Sequence, residues 1–224
     1  MDIIELSFTE ENYLKSIYRL AQDTDGQVNT NAIADNMNTR AASVTDMIKR
    51  LASKSMVEYK PYHGVSITDK GTQRALAIIR KHRLWETFLV EKLNFNWDEV
   101  HEVAEQLEHI QSALLISRLD EYLGYPTVDP HGDPIPQQDG TIQKISRIQL
   151  VELPTGKKAR LVSVGDSSKE FLQYLDKTGI SIGADIEVID RVAYDNSLEI
   201  RVNDSAPLFI SNIVGENLWV QQKG

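Results

Sequence analysis

Residues 41–68 decide how this 224-residue chain folds: Ala41-Ala-Ser-Val-Thr-Asp-Met-Ile-Lys-Arg-Leu-Ala-Ser53, a short break, then Val57-Glu-Tyr-Lys-Pro-Tyr-His-Gly-Val-Ser-Ile-Thr68. Val44, Ile48 and Leu51 recur at helical spacing and predict an amphipathic helix over 41–53. From Val57 the pattern alternates instead, and Pro61 and Gly64 mark a turn, which predicts two strands joined as a hairpin. Working outward, Asn29 or Thr30 can cap a short helix over 31–36, with Ile33, Ala34 and Met37 apolar. Residues 8–22 form another amphipathic helix, with Thr9 as its N-cap, Glu10 and Glu11 in its first turn, and Tyr13, Ile17 and Leu20 on one face. Residues 23–26 end it as a turn. Helix, short helix, helix and β-ribbon is the order of a winged helix-turn-helix.

Beyond the ribbon, a long helical pattern covers 70–93 and a second covers 98–123, separated by Asn94-Phe-Asn-Trp97. Residues 124–140 hold four of the seven prolines and read as an irregular connector. Short β-like runs then follow at 159–164, 185–191, 198–202, 208–210 and 218–221, broken by Gly165, Gly183, Asp195-Asn196 and Pro207, with one helix at 169–178. Short strands about ten residues apart point to a small β-barrel. The fold expected is mainly α with β. It comprises a winged helix-turn-helix at 1–72, a helical domain with its proline-rich connector at 73–140, and an SH3-like barrel at 147–222.

The chain carries a formal charge of −9 and no cysteine. That excludes disulfides, thiolate metal sites and thiol nucleophiles. No apolar run exceeds about five residues, too few for a membrane span, and the acidic start lacks the basic region of an export signal. A cytoplasmic protein is expected. The average charge hides an asymmetry: residues 27–83 hold ten Lys and Arg against four acids, net +6, beside −4 in 1–26 and −11 in 84–224. A basic block inside an acidic chain is what a DNA-contacting lobe looks like.

The densest chemical signal is Val100-His-Glu-Val-Ala-Glu-Gln-Leu-Glu-His-Ile110. On a continuous helix His101, Glu105, Glu108 and His109 share one side, opposite Val103, Leu107, Ile110 and Leu114. His82 and Glu86 lie one turn apart on the preceding helix. A short loop makes the two helices antiparallel neighbours, so His101 can join His82 and Glu86, leaving Glu105, Glu108 and His109 for a second cation. Oxygen and imidazole donors suit Mn²⁺ or Fe²⁺, and Zn²⁺ or Co²⁺ can substitute. The same residues fit a dinuclear metallohydrolase, but no general acid/base or phosphate loop accompanies them and the basic lobe would go unexplained. A winged-helix regulator sensing something other than metal is the remaining rival.

These residues resemble the diphtheria-toxin-repressor and manganese-transport-regulator family of bacterial metal-dependent transcriptional regulators, over almost the whole chain. The resemblance rests on Glu11-Asn-Tyr-Leu-Lys-Ser-Ile-Tyr18, Ser43-Val-Thr-Asp-Met-Ile-Lys-Arg-Leu51, Ile67-Thr-Asp-Lys-Gly71, Arg80-Lys-His-Arg-Leu84, Val100-His101, Glu108-His109 and Asp129-Pro-His-Gly-Asp-Pro-Ile-Pro136. It implies a primary, activating metal site at Asn12, Glu105, Glu108 and His109. It also implies an ancillary site at His82, Glu86 and His101, to which the C-terminal domain lends Glu170. Iron-type members carry cysteine and methionine at the positions of Glu105 and Asn12. Manganese-type members match Glu105 but usually have aspartate where Asn12 stands. Ser167 occupies another ligand position that is a carboxylate in the family, a departure that implies either a weaker tether or a shift of that role to Asp166. The C-terminal portion resembles the family's ferrous-transport-accessory-type domain.

For DNA, the recognition helix 41–53 is expected in the major groove, with Arg40, Ser43, Thr45 and Lys49 reaching phosphates and Ala42 and Asp46 at the family's base-edge positions. The ribbon around Lys60 follows the adjacent backbone. The function implied is a homodimeric, Mn(II)-activated repressor of metal-uptake genes binding double-stranded operator DNA, with an Fe(II)-responsive repressor as the alternative. Neither a membrane nor a small organic substrate is expected as a partner.

Overall fold

Ser7 and Glu10 satisfy each other's backbone at the start of the first helix: Ser7 N donates to the Glu10 carboxylate at 2.7 Å, and Glu10 N to Ser7 Oγ at 3.3 Å. This capping box starts α1 at Phe8, so Ser7 and not Thr9 is the cap. In the computed structural model, which describes residues 5–22, 24, 26–60 and 63–222, α1 spans Phe8–Gln22, α2 Thr30–Asn36 and α3 Ala41–Ser53. Asn29 caps α2, its side chain accepting from Asn31 N. The antiparallel strands β1 (Val57–Lys60) and β2 (Gly64–Ile67) follow, and Val28 bridges to Val65. Pro61 and Tyr62 in the hairpin turn, and Asp23 and Asp25 in the turn after α1, lie outside the described residues. Tyr13, Ile17, Ile33, Val44, Ile48, Leu51 and Val65 are all buried in one core, while Leu20 is only half-buried. The apolar spacing read from the sequence therefore packs the three helices against the ribbon.

The 25-residue α4 (Asp69–Leu93) comes next, then α5 (Val100–Leu107) and α6 (Ala113–Tyr122). The expected single helix over 98–123 is broken at 108–112. The barrel domain holds β3 (Ile148–Gln149), a 3-10 turn at Leu150–Glu152, β4 (Lys158–Val164), α7 (Lys169–Thr178), β5 (Asp185–Arg191), β6 (Leu198–Val202), β7 (Leu208–Ile210), α8 (Asn212–Glu216) and β8 (Leu218–Gln222). Its sheet is antiparallel in the order β3-β8-β4-β5-β6-β7. The inward side chains Leu161, Ile186, Val188, Leu198, Ile200, Leu218 and Val220 alternate with outward ones and meet Leu172 and Leu175 of α7 in a second core.

The chain forms two compact units that interleave in sequence: residues 1–82 with 106–113 and 136–142, and residues 83–105 with 114–135 and 143–224. No described helix is long and apolar enough to cross a membrane.

Candidate metal centre

In the first unit, α5 stops at Leu107 because the next two side chains are drawn elsewhere. Glu108 is fully buried. Its Oε1 lies 2.6 Å from Lys15 Nζ on α1, and its Oε2 lies 2.6 Å from His82 Nδ1 on α4. His109, also buried, places Nδ1 2.7 Å from Glu11 Oε2 and stacks on Phe8 with ring centroids 4.6 Å apart. A buried charge is tolerated only when paired, and these four contacts override the helical propensity of the segment. The break also alters the face expected on a continuous helix. Val103, Leu107 and Ile110 are only half-buried and Leu114 is 70% exposed, whereas Val100 and Ala104 are buried.

The geometry assigns protons. His109 gives its Nδ1–H to the Glu11 carboxylate, which leaves the Nε2 lone pair outward, 3.9 Å from Glu108 Oε1. Glu11 is fully buried and also accepts from Arg74 Nη2 at 2.7 Å. Burial pushes the Glu108 carboxyl up, but the hydrogen bond from His82 and the Lys15 ammonium outweigh it and hold Glu108 below the usual carboxylate range. Burial pushes the Lys81 ammonium down, partly resisted by Glu11 and Glu108. Beside Glu11, Asn12 Oδ1 is buried with no hydrogen-bond partner among the described residues. The carboxylate and the imidazole nitrogen are donors of the kind a divalent first-row cation takes, and the orphaned Asn12 oxygen on α1 is a third of that kind.

The second unit holds another group. Glu86, Asp129 and His131 are buried, with one ligand-type atom of each within 4.8 Å of the others. Glu86 is 3.3 Å from His101 Nδ1 and 3.8 Å from His131 Nδ1. His131 donates Nε2–H to the Trp97 carbonyl at 2.9 Å. Asp129 Oδ1 accepts from the backbone of His131 and Asp133, and Oδ2 lies 3.3 Å from Arg83 Nε. Burial, then the charge of Glu86, raises the Asp129 carboxyl to about 7 against the pull of Arg83. Burial would lower the His131 imidazole, but the hydrogen bond and charge of Glu86 carry it up to about 9. Gly132 makes the loop possible: its φ is +82°, and a Cβ there would sit 1.9 Å from the Val162 carbonyl.

Of the expected primary set, Glu108 and His109 lie in this first-unit cluster and Asn12 follows Glu11 on α1 with its oxygen buried, while Glu105 is half-exposed and sits 3.8 Å from His101 Nε2. Of the expected ancillary set, His82, Glu86 and His101 each offer a ligand-type atom within 4.8 Å of the others, while His82 also turns its Nδ1 to Glu108. Glu170 is exposed in the first turn of α7 and belongs to no cluster of ligand-type groups among the described residues. Asp166 accepts from Ser168 N, and Ser167 is exposed. Sequence reasoning missed Glu11, Lys15, Asp129 and His131. For the last two a local signal existed, in Asp129-Pro-His-Gly-Asp133, where a carboxylate able to cap its own turn brackets an imidazole.

Among the DNA candidates, Arg40, Ala42, Ser43, Asp46, Lys49 and Lys60 are exposed. Thr45 is half-buried, with its hydroxyl donating to Ala41 O at 3.0 Å.

Comparison with known proteins places these features. Residues 5–65 match the iron dependent repressor N-terminal DNA binding domain, 68–137 the iron dependent repressor metal binding and dimerisation domain, and 148–222 the FeoA domain. The diphtheria toxin repressor of Corynebacterium glutamicum is 30% identical over 197 residues, 83% of this chain and 86% of the relative. The iron-dependent repressor IdeR of Mycobacterium leprae is 30% identical over 165 residues, 70% and 71% of the two chains. A solved structure described as a manganese-dependent transcriptional repressor in complex with manganese superposes with a TM-score of 0.86 at 33% identity, covering 96% of this chain and all of that one.

Proposed function

The chain belongs to the iron-dependent repressor family of metal-dependent transcriptional repressors, and from that premise we propose a homodimeric repressor that Mn(II) activates for operator binding. The observation that carries the proposal is the buried pair Glu108 and His109 held against Lys15 and Glu11 of α1, the helix that also carries the orphaned Asn12 oxygen. Asn12, Glu108 and His109 Nε2 would hold the ion, with Glu105 completing the set. When bound, the cation supplies a cross-link between α1 and the segment after α5. Glu11 orients His109, and Asn12 on the same helix joins only when α1 is docked, so ligation and the position of the winged helix become one equilibrium. Two copies then present α3 to major grooves one helical turn of DNA, or a multiple of it, apart. Exposed Leu114, Leu115 and Tyr122 on α6 support pairing of copies through this region.

The oxygen and nitrogen donors and the absence of cysteine favour manganese. Fe(II) is the alternative, given relatives named iron-dependent, and Zn(II) or Co(II) can substitute. We assign an ancillary cation to His82, Glu86 and His101, with Glu170 as the residue the C-terminal domain would lend, and Asp129 and His131 beside Glu86. The domain limits proposed are 1–72, 73–140 and 147–222. DNA contacts are assigned to Arg40, Ala42, Ser43, Thr45, Asp46, Lys49 and Lys60. The protein is assigned to the cytoplasm and given no enzymatic role, which a phosphodiesterase screen with Mn²⁺ checks.

The test is a mobility shift with and without Mn²⁺. Wild-type protein should bind its operator only with the ion, and Glu105→Ala and His109→Ala should lose that stimulation while remaining folded dimers. Undiminished stimulation in His109→Ala moves the site elsewhere. Linkage also requires DNA to tighten Mn²⁺ binding by the factor that Mn²⁺ tightens DNA binding.

A further inference from the structure

The cluster that grips Glu108 already contains a cation. Lys15 lies one helical turn after Glu11 on α1, with its side chain only 6% exposed, and its Nζ is 2.6 Å from Glu108 Oε1. That oxygen is also the one facing His109 Nε2, 3.9 Å away. An ion held between this nitrogen and this oxygen would meet the ammonium on the same atom. Around it stand two carboxylates, Glu11 and Glu108, and three cationic side chains, Lys15, Arg74 and Lys81. With His82 and His109 neutral, as ligation of His109 requires, the set is net positive before any metal arrives. A divalent ion adds two like charges where water screens poorly. Burying a lysine head group is costly, and its pairing recovers that cost only with good geometry. An apolar side chain of the same length would cover the site without desolvating an ammonium.

We propose that Lys15 is a built-in competitor of the activating cation: its ammonium holds Glu108 Oε1 in the metal-free protein and leaves that oxygen when a divalent ion binds, so Lys15 sets the ion concentration at which the regulator responds. The inference rests on the reading of Glu108 and His109 as ligands. It gives α1 two alternative ties to the segment after α5, one through the ammonium and one through the ion. The affinity measured for metal is then the intrinsic affinity reduced by the cost of displacing Lys15.

The test titrates full-length protein with Mn²⁺ and reads free ion by electron paramagnetic resonance. Lys15→Met keeps an unbranched apolar stem and removes the charge. Repulsion between an ammonium and a divalent ion a few ångströms apart corresponds to about tenfold or more in affinity even at water's dielectric constant. Lys15→Met should therefore lower the apparent Kd at least about tenfold, and Lys15→Arg should stay near wild type. An unchanged or weaker Kd in folded Lys15→Met overturns the proposal, as does equal tightening in Lys15→Arg, which would trace the effect to shape and not charge. Glu108→Gln separates this inference from its premise. Loss of binding there, without tightening in Lys15→Met, sinks the competitor alone, whereas wild-type binding there sinks both. If Lys15→Met does not fold, wild-type protein decides by ¹⁵N correlation spectra of the lysine ammonium groups. The protected Lys15 signal should vanish on adding Zn²⁺, and its persistence in Zn²⁺-loaded protein overturns the proposal.

Discussion

Replacing Glu11 by Gln tests whether the orientation of His109, and not merely its presence, governs metal binding. The substitution preserves volume and leaves an amide oxygen able to accept from His109 Nδ1, but removes the charge that now meets both His109 and Arg74 at 2.7 Å. A hydrogen bond to a charged group contributes about 1.5–3 kcal/mol net, against roughly 1 for a neutral pair. Weakening two such contacts should lower metal-free stability by about 1–3 kcal/mol. The amide also competes in two orientations, because its NH₂ end cannot face a donor. The imidazole then loses the carboxylate that fixes its tautomer and orientation, a change that typically costs 10- to 100-fold in metal affinity. That is about 1.4–2.7 kcal/mol. Mn²⁺ titration by electron paramagnetic resonance gives the affinity, and chemical denaturation with chelator gives the stability. If Glu11→Gln binds Mn²⁺ within about twofold of wild type while His109→Ala abolishes binding, the carboxylate does not hold the imidazole in its working orientation and the reasoning fails.

Gly132→Ala should destabilise the second unit by on the order of 3 kcal/mol or more, because its Cβ would sit 1.9 Å from the Val162 carbonyl at a φ of +82°; a melting temperature equal to wild type would refute the packing. In chelated protein, stability should fall as pH rises. The His131 imidazole, raised from 6.5 to about 9, contributes fully below its unfolded value and loses that contribution as pH climbs through about 9. The contribution is about 3 kcal/mol at most. The raised Asp129 carboxyl acts in the same direction between its ordinary value of 3.8 and about 7. His131→Gln should flatten the upper window in denaturation curves taken from pH 6 to 10. Lys49→Ala, an exposed change on α3, should weaken all DNA sequences alike and reduce the slope of log affinity against log salt by about 1; an unchanged slope would remove Lys49 from the phosphate contacts.

The parts of the fold legible in the sequence are those set by neighbours along the chain. The buried stripe Val44, Ile48, Leu51 on α3 follows from helical period alone, and β6 ends where alternation meets Asn203 and β7 begins after Pro207. The division between α5 and α6 is different in kind. Nothing between Leu107 and Ala113 is a glycine or a proline, and the break follows from Glu108 pairing with Lys15, 93 residues away. Local propensity has no access to that contact. An unbroken helix therefore puts Leu114 on the apolar side with Val103, Leu107 and Ile110, whereas it is exposed. Ser7 does not stand out as a cap in the sequence because its partner Glu10 reads equally well as a first-turn acid favoured by the helix dipole.

The site divides along the same line. Glu108 and His109 were legible because carboxylates and imidazoles at helical spacing are uncommon unless something binds them. Glu11 was not, because it and Asn12 are neighbours about 100° apart on α1. Which one faces His109 depends on how α1 is rotated by the burial of Tyr13, Leu14 and Ile17. Lys15 was less legible still, since a lysine in an amphipathic helix ordinarily reads as solvated charge and is buried here only because Glu108 arrives from a distant segment to pair with it. Buried charge is a long-range event by its physics: no group leaves water until its partner is in place, and the partner is rarely close in sequence. A motif can thus name the atoms that would touch a cation, while the residues that hold those atoms ready, or hold the cation off, emerge only once the chain has folded.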